Sequence, residues 1–129
     1  MTKILFPTDF SAIASNAYNY TLELAEKINA KVITIHVYEK PYIPGIEKVP
    51  MTAQEIYESI KMETFEDYKK SVEELRKNAE EAGFSNVNME HMLKEGSTVS
   101  TICRIAKEED VDFIVMGTKG ATGLREIFL

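Results

Sequence analysis

The sequence predicts an α/β fold, an open parallel sheet with helices on both faces. Three observations carry that prediction. Segments of strand character alternate with helical segments along the whole chain, the pattern of βαβ units with right-handed crossovers. The stretch "KVITIHVYE" is rich in β-branched residues and has few charges, so it reads as a strand buried on both sides, as in a parallel sheet covered by helices. No internal repeat, low-complexity segment or composition shift divides the 129 residues, and that length suits one domain, 1–129, with a sizeable core.

The elements follow in order. "KILFPTDFS" opens with the apolar run Ile4 to Phe6, cut off by Pro7 and Thr8, and reads as a buried strand ending in a loop. Ser11 suits a helix cap. Behind it Ala14, Ala17, Thr21, Leu24, Ala25 and Ile28 recur at three- and four-residue intervals, which predicts one core-facing stripe. "KVITIHVYE" is the second strand. "KPYIPGIEKVP" holds three prolines and a glycine and predicts a long loop. Ile56, Ile60, Tyr68, Val72, Leu75, Ala79 and Ala82 then line one face of a long helix, with Gly83 as its stop. "NVNMEHML" alternates more weakly and is expected at a sheet edge. "EGSTVSTICRIAKEED" reads as a capped helix with Val99, Ile102, Cys103 and Ala106 inward, "DFIVMG" as a further buried strand, and the closing stretch as loop and helix.

Composition excludes several functions. The formal net charge is -6, with lysines alternating with glutamates along the helical segments; a solvated helix face explains that mixture, and a basic nucleic-acid surface is not expected. The longest apolar runs are strand-sized, too short to span a membrane. "MTKILFPTDF" makes a poor signal peptide, and the one cysteine, Cys103, has neither a disulfide partner in the chain nor metal-ligand spacing around it. A cytoplasmic location is expected.

In open α/β sheets a ligand lies beyond the carboxyl ends of the strands, where strand order reverses. Two loops there have suitable residues: Pro7-Thr8-Asp9-Phe10-Ser11 after the first strand, and Gly117-Thr118-Lys119-Gly120 after the fourth. Glycines let backbone amides approach an anion, an adjoining helix N-terminus adds a favourable dipole, and Lys119 adds charge. On spacing alone, glycine after a buried strand favours a simple turn. It is neither a P-loop, since no GxxxxGK[ST] occurs, nor the dinucleotide fingerprint, since Gly117, Gly120 and Gly123 are evenly spaced after the last strand. Asp9 suits a helix cap as well as a ligand role. His36 reads as a packed core residue and His91 as a strand-face residue. No nucleophile stands beside a base in the local sequence.

"KILFPTDFS", "IHVYE" and "VDFIVMGTKGATGLREIFL" together closely resemble the universal stress protein family, over the whole chain. The resemblance implies a nucleotide-binding α/β fold, like that of the adenine nucleotide alpha hydrolases, with strand order 3-2-1-4-5. It implies binding of ATP or AMP by many members and not by others. The family's nucleotide motif is G-x2-G-x9-G-[S/T]. Gly117 and Gly120 match its first two glycines, Ala121 to Leu129 match the spacer, and the sequence stops before the third glycine. By resemblance Asp9 and Val37 lie at the adenosine end, Pro7 and Thr8 shape that wall, and Met116, Gly117, Thr118, Lys119 and Gly120 approach ribose and phosphates. The expectations are then a cytoplasmic adenine-nucleotide-responsive module in a four-stranded sheet of order 3-2-1-4, the fifth strand missing from a C-terminally incomplete domain. Phosphate binding is expected to be weakened, hydrolysis at most slow, and Mg2+ present only with ATP. A homodimer is expected. The alternative is an interaction module of the same family that binds no nucleotide. An adenylating enzyme is disfavoured by the lack of a "SGGxDS"-like loop, and a receiver domain by the lack of an acidic cluster near Asp9.

Overall fold

The computed structural model describes residues 1–48 and 50–117. Thr118, Lys119, Gly120 and the expected closing helix lie outside the described residues. The order is β1 (Lys3–Pro7), α1 (Ala12–Ile28), β2 (Lys31–Tyr38), a 3-10 turn (Ile46–Lys48), α2 (Pro50–Glu81), β3 (Met89–Glu95), α3 (Thr98–Glu108) and β4 (Phe113–Ile114). The described strands form one four-stranded sheet of order β3-β2-β1-β4, and every pairing is parallel. β3 is at an edge, as its weak alternation predicted.

Residues along β1 alternate between two cores, the consequence of a strand's period of two. Ile4 and Phe6 join Tyr18, Leu22 and Ala25 of α1 and Leu75 and Ala79 of α2. Leu5 joins Ile33 and Ile35 of β2 and Ile102 and Ile105 of α3. Helices α1 and α2 therefore cover one face of the sheet and α3 the other.

Local signals explain the helix ends. Ser11 accepts a hydrogen bond from the Ala14 amide at 3.2 Å and caps α1, one of the orphan amides that a cap satisfies. Asn29 closes that helix in the left-handed conformation, φ 54°. Pro50 occupies the first position of α2, where its missing N–H costs nothing. The Gly83 amide donates to Glu80 O and the Phe84 amide to Ala79 O, with φ +90° at Gly83. The Lys/Glu mixture on α2 forms exposed pairs such as Lys69–Glu66 and Arg76–Glu80, and Arg76 beside Glu73 holds that carboxyl below its ordinary range. None of the described helices is long and apolar enough to cross a membrane.

Four expectations need correction. In α1 the buried residues include Tyr18 and Leu22, whereas Leu24 and Ile28 are exposed. In α3 the buried stripe is Thr101, Ile102 and Ile105, and Val99 and Cys103 face outward. In both helices apolar residues occur on more than one face, so periodicity does not fix the rotation about the helix axis. On α2, Ala82 is exposed, because the helix ends at Glu81. The "DFIVMG" strand is also shorter than expected: only Phe113–Ile114 is regular, flanked by bonds from the Asp112 amide to Lys3 O and from the Val115 amide to Leu5 O.

Candidate functional site

α1, which follows β1, and α3, which follows the edge strand β3, cover opposite faces of the sheet. Between them a cleft opens beyond the carboxyl ends of the strands, the switch-point position at which open α/β sheets bind ligands. Its volume is about 260 Å³, and Pro7, Thr8 and Asp9 line it together with Val37, Met116 and Gly117. Six residues picked out in the sequence thus meet in one cavity from the ends of three elements.

The β1 side is built by short-range hydrogen bonds. The Thr8 amide donates to Ile35 O at 3.0 Å, which extends the ladder one residue past Pro7. Thr8 Oγ1 accepts from the Phe10 amide at 2.9 Å, and Asp9 Oδ1 from the Ser11 amide at 2.9 Å, the Asx and ST turns by which these side chains stabilise tight loops. Phe10 sits between them at φ 62°, a conformation that costs a residue bearing a Cβ about 1–2 kcal/mol.

His36, expected in the core, is half-buried and lines the cleft. Its Nδ1 lies 2.8 Å from Thr8 O. A carbonyl only accepts, so Nδ1 carries the proton and the imidazole holds the loop to β2. The ring packs 5.0 Å from that of Phe10. His91, expected on a strand face, is half-buried on β3 beside Thr34 Oγ1; burial lowers its pKa, with the Glu90 charge opposing.

The other side of the cleft comes from β4 and α3. An added Cβ at Gly117 would stand 3.1 Å from Ala14 Cα and 3.3 Å from its nitrogen, so Gly117 packs directly beneath the first turn of α1. Its φ is not in the left-handed region, and the need for glycine there is close approach to a helix backbone. Thr98 and Ile102 of α3 also line the cavity, although sequence reasoning placed no site residue on that helix. The signal lay in the topology. A crossover from β3 to β4 must pass over β2 and β1, so the start of α3 lies near the β2 end, and the Gly96 amide donates to Tyr38 O. Gly96 has φ +150°, and a Cβ there would meet Thr101 Oγ1 at 2.7 Å.

Ser11 and Ala14 at the start of α1, and Thr98 at the start of α3, both border the cavity. The positive ends of two helix dipoles therefore face one volume, an arrangement that favours an anionic ligand. Among the described residues no group of three or more His, Cys, Asp or Glu is placed to hold a metal ion.

Comparison with known proteins agrees with this fold. The universal stress protein family model matches residues 1–129. The chain is 30% identical to the universal stress protein MJ0577 of Methanocaldococcus jannaschii, over 98% of its own length and 82% of that protein. The solved structure of MJ0577 superposes with a TM-score of 0.69 at 29% identity, covering 89% of this chain and 73% of that one. A universal stress family protein from Burkholderia pseudomallei gives a TM-score of 0.66 at 25% identity, covering 98% of this chain and 89% of that one. A universal stress protein solved in complex with cAMP shares the fold, with a TM-score of 0.55 at 21% identity over 88% of this chain and 69% of that one. The match along all 129 residues, together with the parallel sheet of order 3-2-1-4, places the chain in the universal stress protein family.

Proposed function

We propose that this stress protein binds adenine nucleotide, ATP or AMP, in the cleft and acts as a regulatory module. The observation that carries the reading is the meeting of Asp9, Val37 and Gly117, from three strand ends, in one cavity bordered by two helix N-termini. Asp9 takes the adenine edge or ribose, with Val37 against the base and Pro7 and Thr8 shaping that wall. Met116 and Gly117 approach ribose and phosphates, and Thr118, Lys119 and Gly120, which lie outside the described residues, are proposed as further phosphate contacts. The cAMP complex of a fold relative supports an adenine nucleotide as the ligand class. Mg2+ enters only as a companion of ATP. The module works in the cytoplasm as a homodimer, without nucleic acid or membrane partners.

Calorimetry with AMP and ATP tests the reading. Both bind, and Asp9→Ala weakens AMP by about tenfold or more, the worth of one hydrogen bond to a charged group. A folded sample that binds neither nucleotide overturns it. The alternative, a dimerisation module that binds no nucleotide, draws on Phe113, half exposed on β4 at the sheet edge among the described residues. It is favoured if sedimentation shows a dimer while calorimetry shows no binding.

A further inference from the structure

We infer that Phe10 is a positioning residue of the cleft, and that through its ring helix α2 sets where Asp9 stands. The inference deepens the nucleotide reading and rests on it for the ligand.

Phe10 holds φ 62°, which glycine adopts freely and a residue with a Cβ does not. A bulky aromatic residue stays there only when its side chain is held from outside the turn. Two rings hold it. The His36 imidazole lies at 5.0 Å, centroid to centroid, and is itself fixed by its bond to Thr8 O. The Tyr68 ring of α2 lies at 6.1 Å, followed along the helix by Phe65 at 6.5 Å from Tyr68. Both spacings to Phe10 are within the range of attractive aromatic pairs. The result is a chain of rings from β2, through the loop, onto the middle of a 32-residue helix.

Asp9 stands between two anchored residues. Thr8 is tied by its amide to Ile35 O and by its carbonyl to His36. Phe10 is tied by its amide to Thr8 Oγ1 and by its ring to His36 and Tyr68. The backbone of Asp9 is therefore fixed on its C-terminal side by the Phe10 ring. A displacement of α2 at Tyr68 reaches Asp9 through that ring, without passing through the core at Leu75 and Ala79 that seats the far end of the helix.

The test removes the ring at residue 10 and, separately, its contact on α2. Phe10→Gly suits φ 62° and removes the ring, Phe10→Tyr keeps the ring, and Tyr68→Leu removes the α2 contact without touching the loop. The readouts are 15N order parameters of Asp9 and Ser11 in the unliganded chain, with Ile33 at the centre of β2 as reference, and AMP affinity by calorimetry. In Phe10→Gly the order parameters of Asp9 and Ser11 fall from about 0.85 toward about 0.6, while Ile33 is unchanged, and AMP binds about tenfold more weakly. Tyr68→Leu moves both readouts the same way by a smaller amount, and Phe10→Tyr restores wild-type values. If Phe10→Gly leaves Asp9 and Ser11 as rigid as in wild type, residue 10 is only a turn and the inference fails. If Tyr68→Leu changes neither readout, α2 has no part in it. Should Ile33 also loosen in Phe10→Gly, Phe10→Leu decides by the same readouts, since it keeps apolar bulk without a ring. A wild-type chain that binds no AMP overturns the proposed function, and the order parameters alone then decide the positioning role.

Discussion

Across the cleft, the β1 wall and the α3–β4 wall are held by different means. The β1 wall is a set of side-chain hydrogen bonds: Thr8 to Phe10, Asp9 to Ser11, Ser11 to Ala14 and His36 to Thr8. Each can be deleted singly, and each deletion leaves space that water can enter. The α3–β4 wall depends on missing side chains. Gly117 lies against the α1 backbone and Gly96 against the Thr101 hydroxyl, so an added methyl is crowded at both positions. The difference teaches where each wall is vulnerable. Truncations are expected to loosen the first locally, whereas additions to the second crowd the backbone of α1 and the Thr101 side chain of α3.

The largest effect is expected at Gly96. Alanine there combines a left-handed backbone, φ +150°, with a Cβ 2.7 Å from the hydroxyl of the buried Thr101. Strain and overpacking together cost about 2–4 kcal/mol, and urea unfolding of Gly96→Ala measures it. The double variant Gly96→Ala/Thr101→Ala recovers the steric part and not the backbone part. A single variant as stable as wild type would break the comparison, because it would mean that α3 accommodates additions freely.

Next comes Gly117→Ala. Its Cβ meets backbone atoms of α1 at 3.1 and 3.3 Å, a pair that cannot rotate away, although no φ penalty applies. A loss of about 1–2 kcal/mol is expected, with chemical-shift changes concentrated at Ile13 and Ala14. If the shifts appear instead only around Met116, the glycine serves the turn and not the approach to α1. Ser11→Ala on the opposite wall removes the cap of α1 and is expected to cost about 1 kcal/mol, with amide exchange speeding only in the first turn. An effect reaching Ile102 of α3 would contradict the local character assigned to that wall.

The two walls were also unequally legible in the sequence. The β1 wall is contiguous: Pro7, Thr8 and Asp9 follow an obvious strand and precede an obvious cap, so sequence order and spatial order coincide. The α3 contribution is not contiguous with anything that resembles a site. Thr98 enters the cleft because a crossover must carry α3 over β2 and β1, a consequence of topology that no local motif records. His36 was legible as a strand residue but not as a loop anchor, since its partner is a carbonyl 28 positions away. Rotation of the helices escaped for a related reason. Tyr18 packs its ring against Phe6 in the core while its hydroxyl is satisfied by Met89 Sδ at 3.0 Å, and buried Thr101 lies beside Gly96; in sequence both look like surface-tolerant polar residues. The covering of both faces was legible, because it follows from the alternation of elements and does not depend on helix rotation, whereas the sheet order 3-2-1-4 came only with the resemblance to the universal stress protein family.

The smallest expected effect sharpens the comparison by lying outside it. His91 sits on β3, paired with Thr34 across the sheet, away from both walls. Burial lowers its pKa below the ordinary imidazole value, and the neighbouring Glu90 only partly opposes that. The unfolded chain therefore takes up a proton at higher pH than the folded one. Between the ordinary value, about 6.5, and the lower folded value the unfolded state binds more protons, so stability falls as pH decreases through that window and levels off below it. The effect is modest, because the ring is only half-buried and solvent screens part of the penalty. His91→Gln keeps hydrogen-bonding capacity toward Thr34 without a titratable ring, and is expected to flatten the fall in urea midpoint between about pH 7 and pH 5. Wild type and His91→Gln losing stability in parallel over that range would assign the pH dependence to other groups. If His91→Gln is flat, the Gly96, Gly117 and Ser11 variants can be compared at neutral pH without a contribution from this residue, and any pH dependence they gain belongs to the cleft.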